Sequence, residues 1–147
     1  TPAGTIAAQL PTQHDAIELF AAGDNSLVQF ANAGGDGLVQ DLHITAGGSP
    51  ILRTFAGEAI RAVVQLDAHT YVIALGNRAV RFDHDTNDIV QLFTGITVDA
   101  MCTDPANGVL YIAAGNLLHT IDQNDGTVVD SRAMSFAIEH LAPLFNR

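Results

Sequence analysis

The residues of this sequence best placed by type and spacing to do chemistry are Asp83, Asp85, Asn87 and Asp88. They alternate oxygen-bearing side chains in the pattern D-x-D-x-N-D that opens a calcium-binding loop. The rest of such a loop is missing. Asp88 stands at the sixth position, where the sharp turn needs Gly, and Thr94 stands at the twelfth, where a bidentate Glu would close the coordination shell. The corresponding stretch from Asp122 to Gly126 keeps only Asp122, Asn124 and Asp125. Asp and Asn hydrogen-bond their own backbone and tolerate left-handed dihedrals. Both stretches therefore read as solvated hairpin tips, and no metal ligand is assigned.

Other reactive residue types are scattered. His14, His43, His69, His84, His119 and His140 show no H-x-H or H-x-x-x-H spacing, and Cys102 is the only cysteine, so a zinc site would need ligands gathered from distant strands. Cys102 reads as a small core hydrophobe. Ser26, Ser49, Ser131 and Ser135 lie outside any G-x-S-x-G elbow. The Gly-rich run Gly34-Gly35-Asp36-Gly37 lacks the Lys and Ser or Thr that complete a phosphate cradle, and reads as a hairpin tip. No catalytic, cofactor-binding or metal residue is assigned from the sequence.

Composition limits the partners. Sixteen acidic against six basic side chains give a formal charge of −10, which repels phosphate backbones and anionic lipid surfaces. Nucleic acid is not an expected partner. No apolar run reaches the roughly 18 residues of a membrane helix, and no basic-then-apolar leader opens the chain, so a soluble protein is expected. With 48% hydrophobic and only 15% charged residues, the 147-residue chain has the make-up of a folded domain.

The elements that must carry these residues repeat. At a shift of 39, residues 72–90 and 111–129 share Ile73/Ile112, Ala74/Ala113, Gly76/Gly115, Asn77/Asn116, Asp83/Asp122 and Val90/Val129. In both copies an apolar run ends at Gly-Asn, a tight-turn pair, then resumes, reaches the Asp-rich tip and resumes again. A fourth strand precedes each meander, Ala59 to Leu66 in one and Ile96 to Cys102 in the other. An earlier unit has looser spacing, with strands at Ala16 to Ala22, Leu27 to Asn32, Leu38 to Thr45 and Ile51 to Phe55. Ile17 to Ala22 and Phe136 to Phe145 are the only stretches whose composition also suits a short helix. The expectation is an all-β chain of three four-stranded antiparallel units at 16–56, 59–94 and 96–132, with an extra strand at each end, 5–10 and 136–142.

Four-stranded units of about 40 residues resemble β-propeller blades, most often of the WD40 kind. The stretch from Ala74 to Asp83 followed by Ile89 to Gly95 resembles the later strands of a WD40 blade, with Asp83 and Asp122 at the aspartate of the WD dipeptide. Tryptophan is absent, and Gly95 is followed by Ile96 where a WD40 blade has His, so the blades are degenerate. The run from Ile121 to Val129 is also similar to blades of quinoprotein-like propellers, without their docking tryptophan, and no quinone site is implied. The regular scaffold, with no convergent chemistry in the sequence, implies a noncatalytic interaction or scaffolding module. Because rings hold four to eight blades, it also implies a protein partner or another copy of the chain that completes the propeller. The alternative is a segment of a propeller hydrolase or lyase whose other blades lie elsewhere; a lectin reading has little support from nine Phe and Tyr residues.

Overall fold

The computed structural model describes residues 15–23, 26–43 and 49–142. Among them are twelve strands and no helix. The strands form three four-stranded antiparallel sheets, each a meander in chain order. Blade I is β1 (Asp15–Gly23), β2 (Ser26–Ala33), β3 (Asp36–His43) and β4 (Ile51–Phe55). Blade II is β5 (Ala62–Gln65), β6 (Thr70–Ala74), β7 (Arg78–Asp83) and β8 (Ile89–Thr94). Blade III is β9 (Ala100–Asp104), β10 (Val109–Ala114), β11 (Leu117–Asp122) and β12 (Val128–Ala133). The first strands of the blades adjoin one another, β1 beside β5 and β5 beside β9, so they form the inner edge of the array.

Strand periodicity explains how the blades stack. Side chains alternate between the two faces of a sheet, and blade II buries both. Tyr71, Ile73, Val80 and Phe82 join Val28, Phe30, Val39 and Phe55 of blade I in one cluster. Val72, Ala74 and Ala79, with Leu92 and Phe93, join Met101, Leu110, Ile112 and Ile121 of blade III in the other. Residues 71–75 are fully buried, which is why this strand reads as an unbroken apolar run and not as an alternation. The first cluster is centred on three rings: Phe30 lies 5.0 Å and Phe20 lies 5.2 Å from Tyr71, and the two phenylalanines meet edge to face at 5.8 Å. The outermost strand of blade III, β12, is exposed along its length, including Val128 and Val129.

The inner strands of blades II and III are shorter at the start than sequence spacing indicates. The stretch at 59–61 is a linker: Asn32 donates to the Ile60 carbonyl at 2.9 Å and accepts the Ile60 N–H at 2.7 Å, pinning the chain to blade I before β5 begins. In the same way Arg61 Nε donates to the Val98 carbonyl at 2.8 Å, holding 96–98 before β9. Neither a strand nor a helix forms at 136–142. That segment leaves β12 and crosses the β10–β11 turn, with Met134 N–H donating to Asn116 O at 2.8 Å and Ile138 N–H to Gly115 O at 2.9 Å. No described strand pairs with it, and an extended chain becomes a strand only through such a ladder. The expected strand at 5–10 lies outside the described residues.

Contact between blades is also made through backbone. Asn87 and Gly126 occupy equivalent left-handed positions, φ 61° and 76°, in the third turns of blades II and III. Each leans on the outer strand of the preceding blade. Asn87 Nδ2 donates to Leu52 O at 2.7 Å, and Gly126 lies so near Leu92 that a Cβ would sit 1.8 Å from its carbonyl oxygen. Gly126→Ala is therefore expected to cost more than about 3 kcal/mol. Gly115→Ala, at φ 61° but in open space, is expected to cost about 1 kcal/mol. Urea unfolding midpoints of the two variants measure the difference.

Candidate functional site

A meander places its first and third turns at one end of the blade and its second turn and the outgoing linker at the other. The first end gathers the Asp-rich tips. In blade II these are the turns after β5 and β7, and in blade III the turns after β9 and β11. Within each blade the two turns are tied together: His84 N–H donates to His69 O at 2.8 Å, and Gln123 N–H to Gly108 O at 3.0 Å. Seven aspartates lie in or beside these turns: Asp67, Asp83, Asp85, Asp88, Asp104, Asp122 and Asp125.

Several of these carboxylates hold backbone. Asp83 Oδ1 accepts the N–H groups of Asp85 at 2.9 Å and Thr86 at 3.0 Å, and Asp122 Oδ1 accepts those of Asn124 at 2.8 Å and Asp125 at 3.3 Å. Asp67 does the same for His69 and Thr70, both at 2.9 Å. The pattern first considered for calcium is thus a turn clasped by its leading aspartate. Among the described residues no group of three or more His, Cys, Asp or Glu side chains is arranged to hold a metal ion. The same bonds favour the charged forms. The Thr86 N–H, with that of Asp85, holds the Asp83 carboxyl below its ordinary range, and the His69 N–H does so for Asp67.

Between the tips of blades II and III lies an open groove of about 460 Å³. Its walls include Asp67, Thr70, Asp83, Thr86 and Asp88 from blade II, and Gln123 and Asn124 from blade III. Among the described residues Arg81 is the one cation lining it, with Nη1 3.4 Å from the Asn124 carbonyl. The Gln123 side-chain oxygen is buried and accepts no hydrogen bond from the described residues. The groove is polar and negative.

The border between blades I and II carries a second polar group. His84 Nε2 lies 2.9 Å from Asp41 Oδ1, its Nδ1 lies 3.6 Å from Asp85 Oδ1, and Asp85 in turn meets His69 Nδ1 at 3.1 Å. Arg53 bonds the side chain and the carbonyl of Asn87. None of these contacts between blades was legible in the sequence: Asp41 and His84 are 43 residues apart, with no motif linking them.

The opposite end carries two ion pairs. Arg78 forms a two-pronged pair with Glu58, 2.7 and 2.8 Å, which keeps the Glu58 carboxyl below its usual range, and Arg61 meets Asp99 at 3.1 Å. The Gly34-Gly35 stretch, at φ 59° and 95°, is the β2–β3 hairpin tip. Facing the inner strands is a hollow of about 340 Å³ whose walls include Glu18, Phe20, Val64, Met101, Cys102 and Leu141. Cys102 is buried there, and burial followed by the nearby Asp104 charge raises its thiol pKa, the opposite of what an activated nucleophile needs. His119 pairs with Ser131 at 2.7 Å across β11 and β12 in an exposed contact.

The chain matches no protein-family model and no curated protein in sequence. Two solved β-propellers are similar in structure. One is the N-terminal domain of Nup159, with a TM-score of 0.61 and 14% identity over 82% of this chain. The other is the computationally designed Ika8 protein, with a TM-score of 0.62 and 15% identity over 87% of this chain. The chain spans 31% and 40% of their lengths. At this identity the likeness establishes the fold, and the three sheets are blades of a β-propeller.

The clasped turns are expected to resist mild acid. Because the Asp67 and Asp83 carboxyls are depressed, their contribution is complete above the ordinary Asp value of about 3.9 and is lost as pH falls below it, through the lowered folded values. Hydrogen exchange at the His69, Asp85 and Thr86 amides follows this loss. In Asp83→Ala the Asp85 and Thr86 amides are expected to exchange faster already at neutral pH, while those of His69 and Thr70 are unchanged.

Proposed function

We propose that this chain is a noncatalytic interaction module of WD40-like blades that presents its acidic turn face to a basic segment of a protein partner. The observation that supports this reading is the concentration of aspartates on one end of the blades, around a groove where Arg81 is the one cation among the described residues, while the ion pairs Arg78–Glu58 and Arg61–Asp99 lie at the other end. Clefts lined by one sign of charge focus the field and attract the opposite charge. The turns that form the face are braced by their own carboxylates and by blade-to-blade bonds, so the partner meets a pre-shaped surface and little ordering entropy is lost on binding. The WD40-like assignment rests on Asp83 and Asp122, which end the third strand of their blades and clasp the following turn. Completion of the ring by further blades, from a partner or from another copy of the chain, belongs to the same reading. The exposed β12 is an open edge to which a further strand would add.

Titration with a fluorescent Lys/Arg-rich peptide, beside a Glu-rich control, tests the binding face. Affinity for the basic peptide is expected to fall with added salt. Asp88→Lys, a change at an exposed groove residue whose carboxylate holds no turn, is expected to weaken binding about three- to five-fold. Equal affinity for both peptides, or indifference to Asp88→Lys and to salt, would rule the face out.

A further inference from the structure

The outer strand of blade III differs from the outer strands of the other two blades. β4 is engaged by blade II, whose Asn87 donates to Leu52 O and accepts from Arg53, and β8 is engaged by blade III, whose Gly126 lies against Leu92. No described blade follows β12, and all six of its residues are exposed, Val129 to 63%. Its outer backbone is open as well. Met134 N–H donates inward to Asn116 O at 2.8 Å, and the direction of backbone groups alternates along a strand. Arg132 therefore also turns its backbone toward β11. The N–H and C=O of Ser131 turn outward, where none of the described residues pairs with them.

The residues beside Ser131 make this edge complementary to itself. Asp130 and Arg132 flank it, share one face of the strand and meet at 2.9 Å, with their side chains 50% and 75% exposed. An acid and a base set symmetrically about one outward-facing residue match a second copy of the same strand run antiparallel. With the two-fold axis at Ser131, the Ser131 N–H and C=O exchange hydrogen bonds with the same groups of the second copy. Asp130 then stands opposite Arg132 of the second copy, and Arg132 opposite its Asp130. The strip has no net charge, so two chains of charge −10 meet there without a like-charge pair across the contact. The other outer strands offer no such match, since β4 has Arg53 as its one charged residue and β8 has none.

We propose that two copies of this chain associate through β12, paired antiparallel about Ser131, so that their two blades III join into one continuous sheet. The pair names the strand that adds to the open edge, and to that extent it rests on the reading of a second copy given above. It does not rest on the acidic face. An edge contact of this length buries little surface, so the dimer is expected to dissociate on dilution.

Sedimentation of the full chain over a dilution series tests it, and the unmodified chain is expected to pass from monomer to dimer as concentration rises. Asp130→Arg alone and Arg132→Asp alone each set like charges opposite one another twice across the axis, and each is expected to weaken dimerisation about tenfold. Mixing the two variants restores opposite charges at both contacts, so a mixed dimer of nearly the original strength is expected. Amide exchange in the unmodified chain decides the matter without any variant: the Ser131 N–H is expected to slow as concentration rises, and an unchanged rate would overturn the pair. A chain that stays monomeric at every concentration overturns both the pair and the second-copy reading. Association that is indifferent to the two variants, or weakened by them and not restored by mixing, overturns the pair alone. None of these readouts involves the basic peptide, so the binding face stands or falls separately.

Discussion

Blade II must bury both of its faces, and most of the structure depends on that requirement. A single four-stranded meander of this size, with apolar residues pointing both ways, cannot shelter itself; it needs a sheet on each side. Tyr71, Ile73 and Phe82 find theirs in blade I, and Val72, Ala74 and Ala79 in blade III. At about 25 cal/mol for each Å² of apolar surface removed from water, these two clusters supply the main cohesion. The polar bonds at the seams set register and angle.

Those seam bonds are built from the same turns that form the candidate site. The left-handed residue of each third turn, Asn87 or Gly126, leans on the outer strand of the preceding blade. The leading aspartate, Asp83 or Asp122, gives that turn its shape. Structure and surface chemistry are therefore coupled. A change that loosens the Asp83 turn alters both the I–II seam and the acidic face above it. Asp67, Asp83 and Asp122 meet a local backbone demand, and their charges add to the face as a consequence.

The seam between blades I and II differs from that between II and III in one respect. Gly126 brings backbone directly against Leu92, whereas the equivalent Asn87 reaches Leu52 through its side chain and is joined there by Arg53, Asp41 and His84. One seam is closed by steric contact and the other by polar side-chain bonds. Two copies of one repeat thus reach the same packing by different physics.

By itself the sequence determined the elements in the repeating part. Short apolar runs, Gly-Asn turns and the 39-residue shift specify β6 to β8 and β10 to β12 closely, because strand, turn and polar tip are local properties of a few consecutive residues. It also located the aspartate tips and their role as turns. The starts of β5 and β9 came later than spacing implied, and 136–142 formed no strand. The reason is the same in each case: strand formation there depends on which backbone lies alongside, and Asn32, Arg61 and the absence of a pairing strand among the described residues are facts of the tertiary fold. The gathering of seven aspartates on one end, and the meeting of His84 with Asp41 from 43 residues away, were likewise decided only when the blades stacked. No local pattern records which turn of one blade will face which strand of the next.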